Sequence, residues 1–160
     1  MSKSPIVRAA GPHEVEAVRA CVVSAFEHYI ERIGMPPAPM LLDFGSEIAA
    51  SHVWVAEEKG RVLGALVQYE TSLGFYVDTV AVVPECQGTG VGRALLQFAE
   101  HEASRRGYDS LYLCTNSKMT ENQAMYPRAG YVEYERKKEK GYDRVFYRKR
   151  LDTRGARNAV

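Results

Sequence analysis

Apolar and polar positions follow two different periods along this chain, and the switches between them mark its elements. Ile6-Val7-Arg8-Ala9 is read as a short strand, and Gly11-Pro12 opens a helix over 13–32 with Val15, Val18, Val22, Phe26 and Ile30 on one stripe. Gly34-Met35-Pro36-Pro37-Ala38-Pro39-Met40 cannot continue that helix. Each proline lacks an amide donor and clashes with the preceding turn, so an apolar loop is predicted. A second helix is predicted around 41–50. The runs 52–57 and 62–69, joined by Glu58-Lys59-Gly60-Arg61, give a hairpin signal.

A third strand, Phe75-Tyr76-Val77-Asp78-Thr79-Val80-Ala81-Val82-Val83, stops at Pro84, which cannot donate to a ladder. A glycine-rich turn over 87–92 leads into a helix over 91–106, whose Val91, Leu95, Phe98, Ala99 and Ala103 line one face. Arg105 and Arg106 sit at its carbonyl end and Gly107 caps it. A strand over 111–114, a helix over 120–129 and strands near 131–136 and 144–149 complete the chain. Hairpins first and strand-helix-strand later predict a mixed sheet covered by helices.

The 160 residues suffice for one domain with a full core. Residues 1–150 are expected to form it, with 151–160 as a basic C-terminal tail. With 21 basic and 20 acidic side chains the formal charge is +1, so no overall field points to nucleic acid or an anionic membrane. Residues 136–157 nevertheless hold ten basic side chains against Glu139, Asp143 and Asp152, a local +7 that leaves −6 on the remainder. Such runs are mostly solvated faces, and one of this size also suits an acidic partner or a phosphate. No apolar run reaches the roughly 18 residues of a membrane span, and the N-terminus lacks the apolar core of a signal peptide. A soluble, cytoplasmic protein is expected. Cys21, Cys86 and Cys114 are odd in number and without CxxC spacing, which speaks against a disulfide framework and a zinc site.

Gln87-Gly88-Thr89-Gly90-Val91-Gly92-Arg93 lies between a strand and a helix, so its free amides point where the helix dipole is positive. That makes an anion cradle. Glycine at 88, 90 and 92 removes side chains that would hold a pyrophosphate away and permits positive φ where the turn needs it. Two common phosphate loops do not fit. A P-loop needs Lys then Ser or Thr after its last glycine, where this chain has Arg93-Ala94, and the dinucleotide fingerprint GxGxxG is GxGxG here.

Val80-Ala81-Val82-x-Pro84-x-x-Gln87-Gly88-x-Gly90-x-Gly92-x-x-Leu95-Leu96 resembles the acyl-CoA motif of the GNAT superfamily of N-acetyltransferases, Q/R-x-x-G-x-G/A. Asn122-Gln123-Ala124-Met125-Tyr126-x-x-x-Gly130-Tyr131 is similar to that family's later helix, and the resemblance runs from the first strand to the last. It implies the GNAT fold: an α/β (α+β) domain with a central mixed, mostly antiparallel twisted sheet of about six to seven strands flanked by about four helices. It implies acetyl-CoA as co-substrate. The loop that includes Thr89 and Val91 would hold the pyrophosphate through the amides of Gln87, Gly88, Gly90, Gly92 and Arg93. The strand ending Val80-Ala81-Val82 would splay from its parallel neighbour at 111–114 and take pantetheine in the gap, with the Val82 N–H as a candidate oxyanion donor.

Acetyl transfer needs a neutral amine and a proton for the departing thiolate. By the resemblance Tyr126 is the candidate acid, since a phenol of pKa about 10 is protonated at neutral pH; the alternative is a packed helix tyrosine. The family's asparagine lies seven residues before the tyrosine, where this chain has Met119, so Asn122 and Asn116 are both candidates for the cofactor contact. An alkylamine is neutral to roughly one part in a thousand at pH 7.4, so a base would help. Asp78 shares a strand face with Val80 and Val82 by the two-residue period and is the candidate; a structural or acceptor-binding aspartate is the alternative.

Glu27, His28, Tyr29 and the 35–40 loop correspond to the region that walls the acceptor site in the family. Glu27, Glu31, Asp43 and Asp78 favour a cationic acceptor among small-molecule and peptide amines. Covalent catalysis through cysteine is disfavoured, because no His and carboxylate partner is evident and direct attack needs no acyl-enzyme. Cys114 is expected as a buried structural thiol, and Met35, Met40, Met119 and Met125 as packing or pocket wall. The expected function is N-acetyl transfer from acetyl-CoA to a primary amine by direct attack. The alternative is an acyl-CoA-binding sensor without turnover. Nucleic acid is a minority reading, no metal is expected, and the hairpin after Tyr131 leaves a homodimer open.

Overall fold

The strand predicted before Pro84 forms as β4 (Gly74–Val82), and its side chains alternate as a strand with one covered face must. Phe75, Val77, Thr79 and Ala81 are buried, whereas Tyr76, Asp78, Val80 and Val82 are half-buried. The computed structural model describes residues 5–152. In chain order the other elements are β1 (Ile6–Ala9), α1 (Val15–Phe26), α2 (Tyr29–Ile33), α3 (Phe44–Ala49), β2 (Val53–Glu58) and β3 (Arg61–Thr71) before β4. After it come α4 (Val91–Arg105), β5 (Ser110–Asn116), α5 (Thr120–Arg128), β6 (Val132–Glu139) and β7 (Tyr142–Arg150). The strands form a seven-stranded sheet in the order β1-β2-β3-β4-β5-β7-β6. β4 and β5 pair in parallel, Phe75 with Leu111 through Val77 with Leu113, while β1–β2, β2–β3, β5–β7 and β6–β7 are antiparallel. The mixed, mostly antiparallel sheet is thus as expected, with five α-helices among the described residues.

Two hairpins close on residue pairs with both φ positive: Lys59 (51°) with Gly60 (78°), and Lys140 (52°) with Gly141 (84°). This left-handed pair matches the twist of the strands it joins. The helix expected over 13–32 is interrupted. Residues 12–14 form a 3-10 turn, and at Glu27–His28 the ladder tightens, the Ile30 amide bonding the Glu27 carbonyl at 3.1 Å, before α2 resumes. The second helix starts at Phe44, not near 41, because Asp43 caps it: its carboxylate accepts from the Ser46 amide at 3.1 Å and the Ser46 hydroxyl at 2.8 Å. Leu41 falls in a separate 3-10 turn with Ala38. β5, β6 and β7 extend beyond the predicted ends.

Among the described residues the backbone gathers into two compact units, one of the residues up to Gln68 with Asp78–Ala99, the other of Tyr69–Val77 with the residues from Glu100 on. In the first, the α1 stripe buries Val18, Val22 and Phe26, with Cys21 and Ala25 beside them, while Val15 and Ile30 are half-buried. Along α4, Val91, Leu95 and Ala99 are buried, and the Phe98 ring lies 5.9 Å from that of Trp54 on β2. In the second unit Leu111, Leu113, Val145, Tyr147 and Tyr131 make the core, and Glu100 accepts from Lys149 at 2.8 Å and from the Tyr131 hydroxyl at 3.1 Å. Of the expected C-terminal tail, residues 153–160, with Arg154 and Arg157, lie outside the described residues. No helix among the described residues is long and apolar enough to cross a membrane.

One ion-pair network ties β1, the 12–14 turn and β2 together. Arg8 grips Glu14 with both terminal guanidinium nitrogens, at 2.7 and 2.9 Å, and donates its Nε–H to Glu57 at 3.0 Å. Glu14 is 7% exposed and also accepts from the Gly11 amide at 2.9 Å. The Arg8 hydrogen bonds, against the cost of burial, hold its carboxyl at about 2, below the ordinary 4.5. A carboxyl depressed on folding stabilises the native state above its unfolded pKa and loses that contribution as pH falls through the folded one. Acid titration of thermal stability is therefore expected to show a loss between about pH 5 and pH 2 that is smaller in Glu14→Gln. At neutral pH that variant should be less stable by about 1–3 kcal/mol.

Candidate functional site

At the end of β4 the chain turns through 84–86, a 3-10 turn held by the Cys86 amide on the Val83 carbonyl at 3.0 Å. The exposed loop 87–90 then delivers it into α4. Gly88 (φ 81°) and Gly90 (φ 100°) occupy the left-handed region as the sequence predicted. A Cβ at either would meet nothing within 4 Å, so glycine is required by the backbone angle and the space over it is open. Gly92 lies in the first turn of α4 without a positive φ, and a Cβ there would stand 3.5 Å from Val82 Cγ2. Its freedom is one of space and not of angle.

The loop spends some of its donors on itself. The Gln87 amide bonds the Pro84 carbonyl at 3.3 Å, its side-chain Nε2 donates to the Val82 carbonyl at 3.1 Å, and the Thr89 hydroxyl donates to the Cys86 carbonyl at 2.5 Å. The first bond of the helix ladder runs from the Ala94 amide to the Gly90 carbonyl at 3.0 Å. Val91, Gly92 and Arg93 therefore present amides for which a helix has no internal acceptor. With the dipole of a 15-residue helix behind them, they favour an anion. Glu85, beside the loop, is paired with Arg61 of β3, which removes one local repulsion. Val80 and Val82 share their half-buried face with Asp78, whose Oδ1 accepts from the Thr79 hydroxyl at 2.9 Å.

Tyr126, Asn116 and Asn122 lie in the second unit. Tyr126 of α5 is buried, its ring 5.7 Å from those of Tyr131 and Tyr147. Asn122 donates to Thr115 Oγ1 at 3.1 Å and toward the Met119 sulfur at 3.6 Å, while Asn116 Oδ1 accepts from the Lys118 amide at 2.9 Å. Both amides thus brace the turn from β5 into α5. Cys114 is half-buried, not buried as expected, and its sulfur lies 3.2 Å from the Tyr76 hydroxyl. Met119 is buried, whereas Met125 is exposed, because it follows Ala124 on the outer side of α5. Burial pushes the Cys21 thiol up to about 12, which leaves it a packing residue. His28 is exposed, its ring tilted against that of Tyr29 with the centroids 4.0 Å apart, and Asp43 is committed to its cap.

A family model for the acetyltransferase (GNAT) domain matches residues 49–133, just over half of the chain. The chain belongs to the GNAT acetyltransferase family. An uncharacterized N-acetyltransferase of Chlorobaculum tepidum is 32% identical over 85 residues, 52% of this chain and 51% of that protein, so the chain matches about half the length of this curated relative. Among solved structures, the PaiA N-acetyltransferase of Thermoplasma acidophilum in complex with coenzyme A is similar at TM-score 0.76 and 14% identity, covering 93% of this chain and 100% of that one. An acetyltransferase of the GNAT family from Staphylococcus aureus is similar at TM-score 0.73 and 17% identity, covering 92% and 99%. These two likenesses are of fold.

One residue of this GNAT domain that hydrophobic periodicity does not single out is Gly64, buried within β3. The available signal was a lone glycine inside a strand pattern, which marks close backbone approach. For the cradle itself, the angles separate two glycines that look alike in sequence. Gly90→Ala is expected to cost about 1–2 kcal/mol in denaturant unfolding, the penalty of a left-handed L-residue. Gly92→Ala should be neutral or stabilising by up to about 1 kcal/mol, the helix propensity difference; equal losses in both would contradict the assignment.

Proposed function

We propose that this chain is an acetyl-CoA-dependent N-acetyltransferase in which a primary amine attacks the thioester directly. The observation that carries the reading is the trio of amides at Val91, Gly92 and Arg93, which opens a helix behind a glycine turn that leaves room for a pyrophosphate. That a structural neighbour is a complex with coenzyme A supports it. Residues 1–150 act as one domain, on a small-molecule or peptide amine, in the cytoplasm.

In this reading the loop from Gln87 to Arg93 anchors the pyrophosphate and Val80, Ala81 and Val82 offer backbone to the pantetheine arm. The amine nitrogen forms a bond to the carbonyl carbon, and the charge that develops on oxygen is met by the Val82 N–H. Asp78 takes the proton from the amine. As the C–S bond breaks, the thiolate takes a proton from the Tyr126 hydroxyl. Asn116 and Asn122 hold the β5–α5 turn that carries Tyr126, a role their hydrogen bonds to Lys118 and Thr115 favour over a direct cofactor contact.

Thiol release from acetyl-CoA across spermidine, kanamycin, lysine and an N-terminal peptide tests the activity. Turnover with one amine class is the expected result. Tyr126→Phe should then lower kcat by roughly 100-fold or more while the Kd for CoA stays within a factor of about three. An unchanged kcat would remove Tyr126 from the chemistry. Tight CoA binding with no turnover in any of the four would favour the sensor.

A further inference from the structure

Gly64 lies in the buried middle of β3, and its φ is not among the positive ones, so the backbone angle does not demand glycine there. Space does. A Cβ would stand 2.9 Å from Leu95 Cδ1, 3.0 Å from Val91 Cγ1 and 3.0 Å from the carbonyl oxygen of Ala81. The first two contacts are side-chain ends of α4 that can shift by a few tenths of an ångström. The third is backbone, and it belongs to the peptide that joins Ala81 to Val82.

A trans peptide is planar, with its C=O and N–H pointing in opposite directions. The Ala81 oxygen approaches β3, so the Val82 N–H of the same plane points away from β3. The plane cannot turn at one end without turning at the other. The peptide that follows is pinned on both sides: the Val83 amide donates to the Leu63 carbonyl at 2.9 Å, and Gln87 Nε2 donates to the Val82 carbonyl at 3.1 Å. A push on the Ala81 oxygen is therefore not passed down the chain. It rotates the Ala81–Val82 plane.

We infer that Gly64 is a positioning residue, which sets the direction of the Val82 N–H by leaving the Ala81 carbonyl room against β3, with Gln87 as the second restraint on the same turn of chain. The inference rests on the acetyltransferase reading, in which that N–H meets the oxyanion. A donor aimed a few tenths of an ångström off loses most where charge is greatest, in the transition state, and little in the ground-state complex.

The test combines a readout of direction with one of chemistry. In Gly64→Ala, the residual dipolar coupling of the Val82 N–H is expected to change while those of Leu63 and Val83 stay as in the wild type. With acetyl-CoA and spermidine, or whichever of the four amines the wild type acetylates, kcat should fall about 10- to 100-fold with the Kd for CoA held within about threefold. An unchanged Val82 coupling overturns the inference. So does a changed coupling with wild-type kcat, which leaves acetyl transfer standing and Gly64 a packing residue only. A wild type that neither binds CoA nor releases thiol fails the acetyltransferase reading itself, and the inference falls with it. If Gly64→Ala does not fold, Gln87→Met removes the exposed side-chain pin without entering the core and keeps every main-chain amide of the 87–93 loop. A changed Val82 coupling with a roughly 3- to 10-fold loss of kcat supports the inference, and an unchanged coupling or no loss of kcat overturns it.

Discussion

The first turn of α4 carries three backbone amides that no carbonyl of its own helix can reach, and much of the first unit is arranged to hold that turn in place. Val91, Leu95 and Ala99 anchor the helix by burial, at about 1.5–3 kcal/mol for each large apolar side chain removed from water. Gly64 lets it come down close to β3 and the end of β4. Gly88 and Gly90 let the chain reverse between strand and helix without putting a side chain over the amides. Each of these residues is small or apolar, and none is chemically reactive. In the proposed function the capacity to hold an anion lies in main-chain geometry, and few polar side chains mark the place.

Charge is managed by pairing. The basic stretch that looked like a free patch in the sequence is laced with carboxylates: Arg136 with Glu133, Lys137 and Arg144 with Glu139, and Lys149 with Glu100. The exposed ones, such as Arg136–Glu133, contribute little to stability. Together the pairs offset part of the local positive charge, at Arg136, Lys137, Arg144 and Lys149. The Arg8–Glu14–Glu57 network is of another kind, because Glu14 is buried and held by a two-pronged guanidinium.

Much of the fold was legible because periodicity reports burial directly. The alternation along β4, the apolar stripe of α4 and the glycine turn between them could be read residue by residue, and the left-handed angles at Gly88 and Gly90 followed from turn chemistry. The break at Glu27–His28 was not legible, since both residues keep right-handed helical angles and only the hydrogen-bond partner changes. The start of α3 is set by the Asp43 cap, which apolar periodicity does not register. Within the site, Asn116 and Asn122 could be named but not assigned, because a side-chain amide that braces a turn and one that awaits a ligand have the same sequence. For Gly64 the sequence carried the signal of close approach but not the partners: its neighbours Ala81, Val91 and Leu95 come from other elements, and one chain position does not announce what packs over it.

The central claim is that the α4 N-terminus binds the pyrophosphate of coenzyme A, and calorimetric titration of the wild-type chain with CoA and, separately, with pantetheine tests it most directly. If the amides of Val91, Gly92 and Arg93 carry the binding, CoA binds and pantetheine, which lacks the pyrophosphate, binds at least about 100-fold more weakly. Equal affinities, or no binding of CoA at all, would contradict the account.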